Sequence, residues 1–133
     1  MPEVNWLAVV AAALSMFVIG GVWYSPPLFH KAWQRAANLS DADLKRGNPA
    51  IIFGTAFVLT LIIAANLAFF LAGPETTLSF AIGAAVAAGL GWAAFSLGII
   101  ALFERRPLSY VLINGGYLTV GFAVMGLILG LWR

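Results

Sequence analysis

Four long apolar stretches alternate with short polar connections along this chain. They cover Val4–Tyr24, Ala50–Leu71, Thr77–Phe103 and Leu108–Trp132, and none of them contains an Asp, Glu, Lys or Arg. A helix needs about 20 apolar residues to cross the hydrocarbon core of a bilayer. Because lipid offers no hydrogen-bond partners, the backbone of such a segment must be helical. The pattern therefore predicts an all-α bundle of four transmembrane helices.

A shorter helical pattern follows the first apolar stretch. The sequence Ser25-Pro26-Pro27 ends the first helix, because proline lacks a backbone donor and disfavours a helical residue before it. Within Leu28–Asn38, apolar residues recur on one helical face and charged or amide residues on the other. A segment this short does not span a bilayer, so it predicts an amphipathic helix lying in the interface. A connecting helix packed on the end of the bundle explains the pattern equally well.

The composition agrees with lipid as the main solvent of this chain. Hydrophobic residues make up 62% of the 133 residues and charged residues 9%, against about 45–50% and 25% in a soluble domain. We expect residues 1–133 to form a single integral membrane domain, because four spans leave little chain for a second module. The chain has no cysteine and one histidine, so we expect no disulfide framework, no metal site and no cofactor.

The basic residues gather at one end of the predicted bundle. Six of the seven fall in the first and third connections, whereas Glu3 and Glu75 fall at the other end. The positive-inside rule then places both basic connections in the cytoplasm and both termini outside it. The first helix has neither a basic leader nor a small-residue cleavage site, so we interpret it as a retained span rather than a signal peptide.

Small residues recur along the third predicted helix. Two rows lie side by side at four-residue spacing, one with Ala81, Ala85, Gly89 and Ala93 and the other with Gly83, Ala87 and Gly91. Small residues let membrane helices approach closely, so that dispersion contacts replace the hydrophobic drive that lipid removes. We therefore expect the third helix to be the centre of packing, against partners in the same chain or in another.

A few polar residues lie within the spans, and none of them is an Asp, Glu, Lys, Arg or His. Amides such as Asn66 and Asn114 bond across helices and fix their register, at about 0.6–2 kcal/mol each. Trp92 lies near the middle of the third helix, where its indole N–H needs an acceptor that either amide would provide. If the protein instead contacts a solute or lipid within the bundle, the candidate residues are Asn66, Trp92, Asn114 and Tyr117.

A second candidate set lies at the predicted cytoplasmic end. Its basic members are His30, Lys31, Arg35, Lys45, Arg46, Arg105 and Arg106, and its aromatic members are Trp23, Tyr24 and Trp33. Attraction to anionic lipid headgroups, about 1 kcal/mol per basic residue near the surface, explains the basic members. A phosphate-bearing ligand or an acidic protein partner is the alternative.

The aromatic members suit the membrane interface, and with Phe29 we expect Trp23 and Trp33 to clamp the corner after the first span against the bundle. We also expect an ion pair from Glu104 to the basic residues of the first connection, which would tie the two connections together.

Two runs of sequence carry a specific pattern of aromatic, proline and basic residues. They are Gly20-Gly21-Val22-Trp23-Tyr24-Ser25-Pro26-Pro27-Leu28-Phe29-His30-Lys31-Ala32-Trp33 and Phe103–Leu108 with Leu112–Tyr117. In these runs the chain resembles an uncharacterised bacterial membrane family called domain-of-unknown-function 1761, over essentially its whole length. The resemblance implies a small four-helix integral membrane protein, for which we expect the bacterial inner membrane. It implies no activity.

These features predict a small non-enzymatic membrane protein that acts structurally, as a homo-oligomer or as an accessory subunit of a larger membrane complex. Its expected partners are membrane lipids and a protein, with no nucleic acid. The alternative is a transporter or channel for a small, weakly polar or lipidic solute. An enzyme ranks third, and the one route to it is lipid headgroup chemistry at His30.

Overall fold

All secondary structure in the described part of the chain is helical. The computed structural model describes residues 3–132. In chain order the elements are α1 (Trp6–Trp23), α2 (His30–Ala36), α3 (Asp41–Leu44), α4 (Pro49–Leu71), α5 (Leu78–Val86), a π-helical segment (Ala87–Ala94), α6 (Phe95–Phe103) and α7 (Leu108–Leu131). The helices α5 and α6 and the π-helical segment form one continuous third span.

Four helices within the described residues are long and apolar enough to cross a membrane: α1, α4, the third span Leu78–Phe103 and α7. This confirms the predicted fold class, an all-α integral membrane bundle. The spans begin and end within about two residues of the predicted bounds, a usual scatter for helix termini. Three residues lie outside the described part of the chain: Met1, Pro2 and Arg133. Arg133 is the one basic residue predicted at the other end of the bundle.

Side chains define where the spans begin. The Asn5 side chain accepts hydrogen bonds from the backbone N–H groups of Leu7 and Ala8, and Thr77 caps the third span by accepting from Phe80. Asn48 caps α4 by accepting from Ala50, with Pro49 in the first turn, where its missing N–H leaves no bond unmade.

The connection between α1 and α4 folds into the two short helices α2 and α3. The predicted interfacial helix is α2, and it packs against α7 at the end of the bundle, with Ala36 buried. A capping box starts α3: the Ser40 hydroxyl accepts from the Asp43 backbone, and the Asp43 carboxylate accepts from the Ser40 backbone. Gly47 then turns the chain into α4 with a left-handed φ of 83°, a conformation that glycine adopts without steric cost.

The four spans do not form a closed bundle. The third span packs mainly on α7, α7 packs on α1, and α1 packs on α4. The spans therefore lie in the spatial order α4, α1, α7, third span. The outer two, α4 and the third span, meet at the turn that joins them, where the rings of Phe70 and Phe80 lie 6.4 Å apart. Beyond that point they diverge and leave one side of the bundle open.

Packing is concentrated at one end of the bundle. We call this the terminal end, because it carries Asn5, the turn at residues 72–77 and Trp132, and the opposite end, with residues 24–48 and 104–107, the basic end. The main buried cluster draws mainly on the terminal half of each span, and its members are Ala8, Val9, Ala12, Ala13, Met16, Ala64, Leu67, Ala68, Leu71, Ala81, Ala85, Met125 and Leu129. The basic half is held by a different set of contacts.

The third span is not the centre of packing that its small residues predicted, because it lies at the edge of the bundle and packs on α7, which also contacts α1, α2 and α4. Its small-residue row does not run straight. Ala81, Ala85 and Gly89 face α7, and the next residue to do so is Ala94 rather than the expected Ala93. The π-helical segment explains this five-residue step, because it adds about one residue to a helical turn. A Cβ atom at Gly115 of α7 would lie 3.2 Å from that of Ala94. The second row turns outward: nothing lies within 4 Å of a Cβ built at Gly83 or Gly91.

Glycines of α7 bring its backbone against the first row. A Cβ atom at Gly126 would overlap the Ala85 Cβ atom and lie 2.8 Å from the carbonyl oxygen of Ala81. A Cβ atom at Gly130 would lie 2.9 Å from the Cβ atom of Ala81. Since one of these neighbours is backbone, a larger residue at Gly126 would have to push the two helices apart.

We expect Gly126→Ala to destabilise the protein by about 1–3 kcal/mol, the usual effect of overpacking a tight contact. The measurement is unfolding in mixed detergent micelles, followed by circular dichroism across a denaturing-detergent titration.

Gly54→Ala is the matched control, because Gly54 also lies within a span but nothing is within 4 Å of a Cβ there. Equal unfolding midpoints for the two variants would contradict the close approach of α7 and the third span.

Candidate functional site

Two grooves of similar size flank the core, and each contains part of the predicted solute or lipid site. One lies on the open side, between α4 and the third span, and we call it the Trp92 groove; its volume is about 580 Å³. The other, also about 580 Å³, lies toward the basic end between α1, α4 and α7, and we call it the Tyr24 groove. Asn66 and Trp92 line the first, and Asn114 and Tyr117 line the second.

The Trp92 groove has apolar walls and faces outward. Leu67 and Phe70 of α4, Ala84 and Ala88 of the third span and Phe122 of α7 contribute to its lining. The Trp92 side chain is 75% exposed, so it projects toward lipid rather than into the bundle. The expected hydrogen bond from its indole N–H to Asn66 or Asn114 is absent among the described residues, because the ring points away from the bundle and Asn114 faces Tyr24 at the end of α1.

The Asn66 side chain is exposed and makes no hydrogen bond within residues 3–132. It lies five residues before the last residue of α4, which places it about 8 Å along the helix axis from the terminal end. An amide without a partner at this depth is unfavourable in hydrocarbon. Asn66 therefore places on the open side a polar group that residues 3–132 leave without a hydrogen-bond partner.

The Tyr24 groove contains a hydrogen-bonded polar wall. The Tyr24 hydroxyl donates to the Asn114 side-chain oxygen at 2.5 Å. The Tyr117 hydroxyl donates to the Met16 backbone carbonyl at 3.1 Å, and its ring lies 5.4 Å from that of Tyr24 at a steep angle. Asn114 thus forms the interhelical bond that its residue type predicts, between the end of α1 and the first half of α7.

The aromatic corner after α1 is clamped against the bundle, as expected. The Trp23 indole N–H donates to the Ile113 backbone carbonyl at 2.9 Å. The ring lies over Gly116, where a Cβ atom would approach it to 2.9 Å. Phe29 packs on Trp23 with ring centroids 5.0 Å apart, and Trp33 packs on Tyr24 at 5.7 Å.

The two basic connections are joined, but through a different residue from the one expected. Arg106 donates to the Ala37 backbone carbonyl at the end of α2, at 2.8 Å, and its guanidinium lies 5.5 Å from the Tyr110 ring centre. Glu104 approaches Arg106 at 3.7 Å rather than the basic residues of the first connection. Every residue has a backbone carbonyl, so the sequence does not indicate which carbonyl accepts a bond. The pattern of charged residues therefore predicted an ion pair with the Glu104 carboxylate instead.

The remaining basic residues lie on the surface of the basic end. Lys31, Arg35 and Lys45 are exposed and form no ion pair within residues 3–132. Arg46 pairs with Asp43 at 2.9 Å. The pKa of the Asp43 carboxyl lies below its usual range, mainly because of the Ser40 backbone N–H and hydroxyl. Arg46 makes a smaller contribution. Arg105 donates to the carbonyls of its own helix end, and His30 lies 6.1 Å from the Trp33 ring.

Several residues of the Tyr24 groove carry no signal in the sequence. Phe17, Gly21, Phe53 and Ala56 line it because the basic half of α4 diverges from α1, and no residue pattern predicts that divergence. Thr60 also lines it, although its hydroxyl bonds to the Ala56 carbonyl of its own helix.

We expect Tyr24→Phe and Asn114→Leu each to destabilise the protein, and the double variant to lose less than the sum. The hydrogen bond between them predicts a coupling energy of about 0.6–2 kcal/mol. The measurement is a double-mutant cycle of unfolding in mixed micelles. Tyr110→Phe keeps the ring beside Arg106 and should have little effect; additive losses at Tyr24 and Asn114 would show that the bond does not form.

The comparisons with known proteins identify a family for this chain. No curated protein and no solved structure shows a significant match to this chain. One family profile, described as "Protein of unknown function (DUF1761)", matches residues 7–130 and so covers nearly the whole chain. The chain belongs to the DUF1761 family, whose function is unknown.

Proposed function

We propose that this protein is a small non-enzymatic integral membrane protein that acts structurally, by helix packing, as a homo-oligomer or as an accessory subunit of a larger membrane complex. Its four spans contain no Asp, Glu, Lys, Arg or His, the residues that most often mark chemistry or ion paths inside a membrane. The open side, between α4 and the third span, faces lipid, and close-packed helices lie on either side of it.

The observation that carries the proposal is the unpaired Asn66 side chain on that open side. The polar side chains of Ser15, Thr60 and Thr119 within the spans bond to carbonyls of their own helices, and Asn114 bonds to Tyr24. Asn66 has no such partner in residues 3–132. A helix seated in the Trp92 groove would supply one and would cover the apolar walls beside it.

A second copy of this chain is the partner that the residue favours. An amide carries both a donor and an acceptor, so two Asn66 side chains satisfy each other across a two-fold axis. The exposed Trp92 on the opposite wall adds a large apolar surface with one indole donor. Self-association therefore requires no complementary chemistry from another protein.

We further propose that the basic end faces the cytoplasm of a bacterial cell and that the terminal end faces away from it across the inner membrane. The support is the charge distribution, with Lys31, Arg35, Lys45, Arg46, Arg105 and Arg106 all at the basic end.

Transport of a small solute has less support. The path expected for it passes Asn66, Trp92, Asn114 and Tyr117, and these residues lie in two separate grooves on different faces of the core. A path through one chain would have to cross the buried cluster that contains Leu67, Met125 and Leu129.

We expect the purified protein to be a dimer in mild detergent and Asn66→Leu to weaken the dimer. An interhelical amide bond of about 0.6–2 kcal/mol corresponds to about a 3- to 30-fold higher dissociation constant. Native mass spectrometry across a dilution series measures this change directly.

Thr55→Leu is the matched control, since it replaces an exposed polar residue by leucine on the same helix, outside both grooves. A strict monomer that co-purifies with no other protein would reject the proposal. A stable complex with another membrane protein, lost in Asn66→Leu, would support the accessory role instead of self-association.

A further inference from the structure

The Tyr24 groove exists because α4 leaves the bundle toward the basic end. The buried residues of α4 are confined to its terminal half, from Ala64 to Leu71. Near its start, Ile51 and Phe53 are 65% and 63% exposed. The opening lies toward the basic end, where Phe53 of α4 and Trp33 of α2 line it.

The polar wall of this groove contains a donor that the described residues leave unpaired, the side-chain amide of Asn114. The Tyr24 hydroxyl donates to the Asn114 oxygen, so the acceptor of the amide is already engaged. The Asn114 amide nitrogen carries two hydrogens and has no acceptor within residues 3–132. A ligand with an oxygen acceptor would pair this donor, and an apolar surface on the rest of the ligand would match Phe17, Phe53 and Ala56.

The mouth of the groove lies between two basic segments. Trp33 of α2 forms part of one wall, and α2 carries Lys31 and Arg35 on its exposed face. The opposite wall begins at Phe53 of α4, a few residues after Lys45 and Arg46. Lys31, Arg35 and Lys45 have no carboxylate partner within residues 3–132, which leaves positive charge available to an anion.

We propose that the Tyr24 groove binds one molecule of an anionic phospholipid. An acyl chain lies against Phe17, Phe53 and Ala56, an ester or phosphate oxygen accepts from the Asn114 amide, and the phosphate lies among Lys31, Arg35 and Lys45. This site is independent of the Trp92 groove and of self-association, since the two grooves share no lining residue.

The position of α2 favours a lipid over a transmembrane helix as the occupant. Because Trp33 stands at the basic end of the groove, a spanning helix would meet α2 on its way out of the membrane. An acyl chain enters from the side, and its headgroup remains at the level of α2. Each basic residue near an anionic headgroup adds about 1 kcal/mol to the binding free energy. The basic residues therefore favour anionic over zwitterionic lipids.

A side chain at Gly21 would start in open space within the groove. Nothing lies within 4 Å of a Cβ atom built at Gly21, which lines the groove. The experiment incubates the protein, in mild detergent, with equal amounts of phosphatidylglycerol and phosphatidylcholine, and native mass spectrometry then counts the lipids retained. We expect one tightly held phosphatidylglycerol per chain in the wild-type protein and about tenfold weaker retention in Gly21→Leu.

Gly83→Leu is the control, because Gly83 also lies in open surroundings within a span but outside both grooves. It should retain the lipid as the wild-type protein does. The double variant Lys31→Gln with Arg35→Gln should keep the site but lose most of the preference for phosphatidylglycerol over phosphatidylcholine.

Equal retention of the two lipids by the wild-type protein would overturn the proposal, because it would indicate ordinary lipid around the spans. Unchanged retention in Gly21→Leu would also overturn it, since the anionic lipid would then lie elsewhere. If Gly21→Leu does not fold, Ala56→Leu fills the groove from the opposite wall, and the same two outcomes decide the question.

Discussion

The close contact between α7 and the third span is the interaction on which the rest of this fold depends. In lipid, burying apolar side chains gains little, because the surrounding acyl chains are equally apolar. Stability must then come from dense packing of the backbone itself, and Gly126, Ala81 and Ala85 allow this. The other spans are arranged around this pair: α1 packs on α7, and α4 packs on α1.

The two halves of the bundle are stabilised by different means. The terminal half is an apolar core of small and branched side chains around Met125. The basic half has few buried apolar residues and relies on directed contacts, such as the Trp23 bond to the Ile113 carbonyl and the Arg106 bond to the Ala37 carbonyl. Hydrogen bonds fix geometry without requiring dense packing, which allows this half to open into a groove while the other half remains closed.

Much of the fold follows from the sequence because the bilayer imposes it. The length and apolarity of the spans, the proline-rich end of α1 and the small residues of the third span predict four helices, a surface helix and the row that begins at Ala81. Hydropathy carries no information on the relative positions of helices. For that reason the open side, the divergence of α4 and the outward position of Trp92 could not be predicted. Asn114 was predicted correctly as an interhelical bond, but its partner, Tyr24, was not.

The π-helical segment has a consequence for how the third span tolerates changes in length. Each residue of an α-helix turns the chain by about 100°. The extra residue in Ala87–Ala94 therefore sets the rotational phase of the rest of the third span, that is, the direction in which its later side chains point. Ala94 and Ala101 face inward only in that phase. Deleting one residue of the wide turn would restore a regular helix and swing α6 by about a quarter of a turn, presenting bulky side chains such as Phe95 or Leu102 to α7. A shorter, more regular helix would thus fit its neighbour worse.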